Sequence, residues 1–242
     1  MRGLYIHIPF CRSKCIYCDF VSFANKNDLK DEYMRKLCSE MTQYDGMSFD
    51  TIYIGGGTPT VLDDDDFKKL FAAICSNFDI APNSEITVEA NPATVTASKA
   101  GLLRALGVNR ISLGAQSFVD SELMAIGRIH SASDTAETVH LLRDEGFDNI
   151  SIDLMYALPG QTTGTLEHSI ESILKLEPEH ISCYGLKVEP GTKLAEMVER
   201  NKITEASEDD FADMYEKICD LLSKSGYGHY EISNFSKPGF ES

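Results

Sequence analysis

Thr51-Ile52-Tyr53-Ile54-Gly55-Gly56-Gly57-Thr58-Pro59-Thr60, then Asp63-Asp64-Asp65-Asp66-Phe67, then Ile86-Thr87-Val88, is the stretch that decides the fold. Thr51 to Ile54 is β-branched and aromatic, and three glycines close it, which predicts a short strand. Asp63 to Phe78 reads as a helix whose four leading aspartates favour the positive end of the helix dipole. Ile86 to Val88 is a second strand, closed by Asn91-Pro92. A strand, a helix and a strand in this order make a right-handed crossover between parallel strands.

The same unit recurs outward in both directions. Leu4 to Ile8 is a strand before it, and Asp28 to Tyr44 carries helical spacing at Leu29, Tyr33, Leu37 and Met41. After it come the helix Thr96 to Leu106, stopped by Gly107, and the strand Arg110 to Leu113. The helix Ala132 to Glu145, stopped by Gly146, and the strand Asn149 to Met155 follow. Next are the helix Thr165 to Leu176, the strand His180 to Leu186 and the helix Ser207 to Ser223. Six strand–helix units predict a parallel α/β sheet whose strands, apolar and β-branched, read as buried. Six units are two short of an eight-fold barrel. A doubly wound open sheet is the rival, and periodicity does not separate the two. His229 to Ile232 reads as one more strand, and Asn234 to Ser242 as turn-like. The tail stops without a closing element, so the chain is expected to continue in the intact protein.

The chain has 242 residues, and 22 Lys and Arg against 38 Asp and Glu leave it at −16. A surface this acidic is a poor partner for nucleic acid or anionic membranes. With 43% apolar and 25% charged residues, disorder is excluded as a class. No apolar run approaches the ~18 residues of a membrane span. Met1 to Phe10 does not read as a signal peptide. Seven cysteines, an odd number, argue against a disulfide framework and for a reducing cytoplasm.

Three of those cysteines cluster as Cys11-x3-Cys15-x2-Cys18. A closed zinc site wants four ligands, and no second CxxC or HxxxH pair is present. An iron–sulfur cluster on three thiolates leaves one iron open for a ligand. The bland alternatives are a zinc knuckle completed by His7 or Cys38, or three unrelated thiols. Gly55 to Gly57 lacks the Lys-Ser/Thr of a phosphate loop and is not G-x-G-x-x-G. It suits either a tight turn or close approach of backbone to a ligand.

The cysteine spacing, with Tyr17 as the aromatic before the third cysteine, resembles the radical S-adenosylmethionine superfamily. The resemblance implies a [4Fe–4S] cluster on Cys11, Cys15 and Cys18, whose open iron chelates S-adenosylmethionine. One electron would then yield methionine and a 5′-deoxyadenosyl radical. It also implies a partial (β/α)6 TIM-like barrel. Tyr5 to Cys11, Gly55 to Thr60 and Glu89 to Pro92 narrow the likeness to the oxygen-independent coproporphyrinogen oxidase group. The dehydrogenase branch carries a fourth cysteine two residues after the third; here Phe20 stands there. Phe20, Gly127 to Ser131, Glu189 to Thr192 and Tyr230 to Phe235 resemble the haem chaperone branch. That branch implies haem or porphyrin as cargo, an electron donor such as flavodoxin or ferredoxin, and a haem-accepting protein. The oxidase reading, oxidative decarboxylation of coproporphyrinogen III to protoporphyrinogen IX, is the alternative that Phe20 disfavours. The family continues with a haem-implicated His-Asn motif and a further domain. Residues 1–205 are therefore expected to form the barrel, and 206–242 to lead toward a domain absent from this chain.

Ligand sites of such barrels lie at the C-terminal ends of the strands. Those ends carry Gly55, Gly56, Gly57, Thr58, Glu89, Gln116, Asp153, Lys187 and Glu189. By resemblance Tyr5, Tyr17, Gly55 to Thr58, Glu89, Gln116, Arg128 and Asp153 bind S-adenosylmethionine. Each has a bland reading too: Tyr5 as a core aromatic, Glu89 as a cap, Arg128 as a partner for a neighbouring acid. Asp153 inside an apolar strand demands a partner. Cys38, Cys75, Cys183 and Cys219 read as core thiols. His130, His140, His168 and His180 are isolated and read as structural.

Overall fold

The computed structural model describes residues 2–242, so Met1, the first residue of the N-terminal reading, lies outside the described residues. Six parallel strands organise it: β1 (Gly3–Ile8), β4 (Met47–Gly56), β5 (Phe78–Ala90), β6 (Arg110–Gln116), β7 (Ile150–Tyr156) and β8 (His180–Gly185). A small parallel pair, β2 (Phe10–Cys11) with β3 (Phe23–Ala24), follows β1. The helices are α1 (Lys30–Met41), α2 (Asp64–Asn77), α3 (Ala97–Ala105), α4 (Asp120–Ala125), α5 (Ala132–Asp144), α6 (Thr163–Leu174), α7 (Lys193–Glu199) and α8 (Glu208–Lys224).

The main sheet runs β1-β4-β5-β6-β7-β8 and then adds two antiparallel strands, β10 (Asn234–Ser236) and β9 (Gly228–His229). The parallel strands stand in chain order with no reversal. A doubly wound sheet requires a reversal at its switch point. Steady right-handed winding instead places every helix on one face and curls the sheet into a partial barrel.

Local sequence sets each helix. Asp63 caps α2 by accepting from the Asp66 N–H, and three acids fill its first turn. Its buried face is Phe67, Leu70, Phe71 and Ile74, the spacing of one helical stripe. Ser131 and Asp134 close a capping box on α5, whose buried face is Thr135, Thr138, Val139 and Leu142. Gly107 and Gly146 end α3 and α5 at φ of 94° and 84°.

The strands differ from the expectation of burial on both faces by the same apolar lining. On β7, Ile150, Ile152, Leu154 and Tyr156 join the core, while Asp153 and Met155 line a cavity. On β6, Ile111, Leu113 and Ala115 join the core, while Arg110, Ser112, Gly114 and Gln116 line that cavity. β8 divides likewise, with Ile181 and Cys183 against His180, Ser182 and Tyr184. The alternation has period two. One face packs under the helices, and the other makes a polar lumen.

Two short helices, α4 and α7, escape the sequence reading because 6 and 7 residues show too little periodicity. The tail also differs. The strand expected at His229 to Ile232 is only Gly228–His229, and the turn-like Asn234 to Ser236 is a strand paired to β8. Phe235, fully buried, enters the core from it, while Asn234 faces the lumen. Among the described residues no helix is long and apolar enough to cross a membrane.

Candidate functional site

The cysteine loop springs from β2. Its base is fixed by the Phe23 N–H donating to the Pro9 carbonyl at 2.7 Å and by the β2–β3 pair. Its middle is fixed by the Ile16 N–H donating to Ile126 O at 3.2 Å and the Leu194 N–H donating to Ile16 O at 2.9 Å. The loop is thus pinned from α4 and α7, the two helices the sequence reading missed.

Each of the three thiols has a polar side chain beside it. Thr58 Oγ1 lies 3.7 Å from Cys11 Sγ, Ser22 Oγ 3.7 Å from Cys18 Sγ, and Arg128 Nη1 3.6 Å from Cys15 Sγ. Burial pushes the Cys11 thiol up, and the Thr58 and Ser22 hydroxyls beside it oppose the push. All three cysteines line one cavity. Among the described residues no three of His, Cys, Asp and Glu gather round a single-ion site. His7 is not available as a fourth ligand, because its ring nitrogens meet Tyr5 OH at 2.9 Å and Val21 O at 2.8 Å. Cys38 lies on α1 in the helical layer, where its nearest charges are Lys69 and Asp66. Three thiols on one cavity without a fourth protein ligand fit a cluster with one open iron, and do not fit a closed zinc knuckle.

The glycine run makes the close approach. The Gly57 N–H donates to Ile8 O at 2.9 Å and the Thr58 N–H to Phe10 O at 2.8 Å, so the run is laced to the chain entering the cysteine loop. A Cβ on Gly57 would stand 2.7 Å from Phe10 O and 3.0 Å from Cys11 Sγ. Gly56 has φ of 113°, and a Cβ there would meet the His7 ring at 2.5 Å. Gly57→Ala is expected to destabilise the protein by about 1–3 kcal/mol, since the clash is with backbone, and to lower iron uptake at Cys11. Denaturant unfolding and iron analysis after reconstitution check this. Unchanged values in both would remove the proposed role of the run.

Glu89 is held from two sides. Tyr53 OH donates to Oε1 at 2.8 Å, and the Gly56 N–H donates to Oε2 at 2.9 Å. Burial pushes its carboxyl up, and the Tyr53 and Gly56 hydrogen bonds oppose the push. Asp153 accepts from Ser112 Oγ at 3.1 Å. Its carboxyl is pushed up to about 7, first by burial and then by Glu89, with Ser112, Arg110 and Arg128 pulling the other way. Arg128 donates Nη2 to Gly114 O and keeps a buried Nε without a partner. Gln116 sits where the β6–β7 register shifts, at φ of 69°. The Gly127-Arg128-Ile129-His130 segment clasps that bulge, since His130 Nε2 also lies 3.1 Å from Ala115 O. Burial lowers His130 to about 4, so its ring is neutral.

The structure brings together most of the residues singled out in the sequence. Cys11, Cys15, Tyr17, Cys18, Gly56, Gly57, Thr58, Glu89, Gln116, Arg128 and Asp153 all line one cavity of about 490 Å³. That volume suits a small-molecule ligand. Lys187 and Glu189 line its rim as an ion pair at 2.8 Å. Two residues are not on the wall. Tyr5 is exposed, bonded to His7 and stacked on Tyr53 at 6.1 Å, and Gly55 stands behind the Glu89 carboxyl. The sequence reading missed Tyr53, Arg110, Ser112, His180, Ser182 and Tyr184, which also line the cavity. Their signal was the alternation Arg110-Ile-Ser112-Leu-Gly114 and His180-Ile-Ser182-Cys-Tyr184.

Comparison with known proteins agrees with this geometry. Residues 5–173 match the Radical SAM superfamily. The heme chaperone HemW of Lactococcus lactis subsp. lactis is 43% identical over 241 residues, 100% of this chain and 64% of that protein. HemW of Bacillus subtilis is 42% identical over 249 residues, 100% of this chain and 65% of that protein. The chain thus spans just under two thirds of the length of these relatives. Among solved structures, coproporphyrinogen III oxidase (HemN) from Escherichia coli, a radical SAM enzyme, superposes with a TM-score of 0.88 at 26% identity. It covers 98% of this chain and 56% of that one.

Proposed function

The chain belongs to the radical S-adenosylmethionine superfamily, and from that premise we propose that it is the radical domain of a haem chaperone. The observation that carries the cofactor reading is the set of three thiols, each with a polar side chain beside it, at the head of a polar lumen. Cys11, Cys15 and Cys18 would hold a [4Fe–4S] cluster. Bound there, the cluster supplies the electron that cleaves a sulfonium and the open iron that chelates an amino acid.

The chain's own groups then divide the work of holding S-adenosylmethionine. Arg128, with an unspent buried Nε, meets the carboxylate. Glu89, fixed by Tyr53 and Gly56, and Asp153, fixed by Ser112, accept hydrogen bonds from amine or ribose. Gly56 and Gly57 let the methionine end approach backbone without Cβ atoms in the way. A cation bound in the lumen favours the ionised form of Asp153, so its binding releases a proton near neutrality.

The haem part of the reading rests on likeness to the HemW relatives and on Phe20. Phe20 is 66% exposed at the cavity rim, an apolar wall where the dehydrogenase branch has a thiol. The proposal includes a cytoplasmic setting, a flavodoxin- or ferredoxin-like electron donor and a haem-accepting protein. Anaerobic incubation of the full-length, cluster-reconstituted protein with coproporphyrinogen III tests it, with protoporphyrinogen and 5′-deoxyadenosine followed in one chromatogram. We expect no porphyrinogen conversion and saturable haem binding in a parallel titration. Substrate-dependent formation of both products would make the protein an oxidase.

A further inference from the structure

Beneath the residues assigned above, the lumen has a floor that they do not use. Arg110 opens β6 and pairs in register with Thr87, two residues before Glu89 meets Ser112. It therefore lies one side-chain level, about 7 Å, below Glu89. Arg110 is 3% exposed, yet it lines the cavity.

Its guanidinium is almost unspent. Nη1 reaches Thr87 Oγ1 at 3.5 Å, the limit of a hydrogen bond, and buried Nε has no hydrogen-bond partner, only a long ion pair with Glu85 Oε2 at 4.0 Å. Glu85 also accepts from the Ser242 hydroxyl at 2.9 Å, through its other oxygen, and the Asp153 carboxyl feels the Arg110 charge as well. An arginine carries five N–H donors, and a buried one normally has most of them satisfied. Across the floor, Asn234 lines the same cavity, with its Oδ1 buried and unpartnered. Beside it Tyr230 OH is held 2.7 Å from His180 Nε2. His180 also meets Ser151 Oγ at 2.8 Å and is neutral, so it adds no second cation.

From this geometry we propose that the lumen floor is a second subsite, centred on Arg110, that receives the carboxylate of a small organic acid or of a carboxylate-bearing substrate arm. The two oxygens of a carboxylate match two parallel N–H donors of the guanidinium fork. Asn234 and Tyr230 offer a polar wall for the rest of the molecule. A monocarboxylate fits better than a phosphate, because one arginine faces a lumen that already holds Glu89 and Asp153. The assignment of the upper lumen to S-adenosylmethionine is the reading proposed above, and the test keeps the two subsites apart.

The test is equilibrium dialysis of radiolabelled propionate and succinate against the cluster-reconstituted protein, with S-adenosylmethionine affinity measured on the same samples. We expect saturable retention of at least one acid and no displacement by propionamide. Arg110→Gln should weaken retention about tenfold or more, the loss expected for a charge-assisted pair. The affinity for S-adenosylmethionine should fall by less than the retention of the acid, since Arg110 reaches that ligand only through the Asp153 carboxyl. If Arg110→Gln does not fold, Arg110→Lys decides, because it keeps the charge and loses the fork. Weaker retention in that variant supports the subsite. No retention by the unaltered protein, equal retention by the Arg110 variants, or displacement by propionamide would overturn it.

Discussion

Cys15→Ala is expected to abolish cluster assembly. Reconstitution of the unaltered protein should give about four irons per chain, and the variant close to none. The reason is the count of ligands. Three thiols face the lumen, and the two side chains that a sequence reading offers as substitutes are engaged elsewhere. His7 has both ring nitrogens within hydrogen-bond distance of partners, and Cys38 lies on α1. Losing Cys15 also strips Arg128 Nη1 of its sulfur partner, leaving Gly114 O alone on the guanidinium. The fold should survive, since Cys15 is only half-buried and its loop is pinned by the backbone of Ile16. Cys75→Ala, on an exposed thiol, is the control and should keep its iron. Full iron in Cys15→Ala, or stoichiometric zinc in the unaltered protein after anaerobic purification, would defeat the three-thiolate assignment.

Asp153→Asn should stabilise the ligand-free protein at pH 8 and leave it unchanged at pH 4. Burial, and next the neighbouring Glu89, push the Asp153 carboxyl up to about 7, against an ordinary value near 4. Between those two values the folded protein keeps a proton that the unfolded chain has lost. Unfolding then releases a proton, so the stability of the unaltered protein falls as pH rises from about 4 to about 7. Above that window the cost of the buried charge is complete, about 2–4 kcal/mol. Asparagine carries no such charge and removes the slope. Urea unfolding of both proteins across pH 4 to 8 measures the difference. A gap that is flat with pH, or that widens toward acid, would show that Asp153 is ionised throughout. Added S-adenosylmethionine should flatten the slope of the unaltered protein, because a cation in the lumen draws the carboxyl back down.

Much of this was legible in the chain, for identifiable reasons. Asp63, Ser131 and Ser207 are capping residues placed just before apolar stripes, so α2, α5 and α8 could be read almost to the residue. The choice of the barrel over the doubly wound sheet came from the family resemblance and not from periodicity, because strand order is a long-range property that no local pattern encodes. The cysteine triplet and the strand-end polar groups could be read because their chemistry is local. Arg110, Ser112 and His180 could not, because each is followed by an apolar residue in a segment that reads as a buried strand. Tyr230 to Ile232 looks like a strand by propensity. It forms a bend instead, because the chain must reverse between Gly228–His229 and Asn234–Ser236.

The division of each strand into a helix-facing and a lumen-facing half has a consequence for how such a protein changes over generations. Ile150, Ile152 and Leu154 answer to the packing of the helical layer, and Ser151 and Asp153 do not. A substitution on the inner side need not disturb the apolar packing of the outer side, though at a buried charge such as Asp153 it still alters stability. Its other effect falls on whatever molecule the interior holds. A chain built this way can change what its interior holds while the packing of its outer layer stays the same.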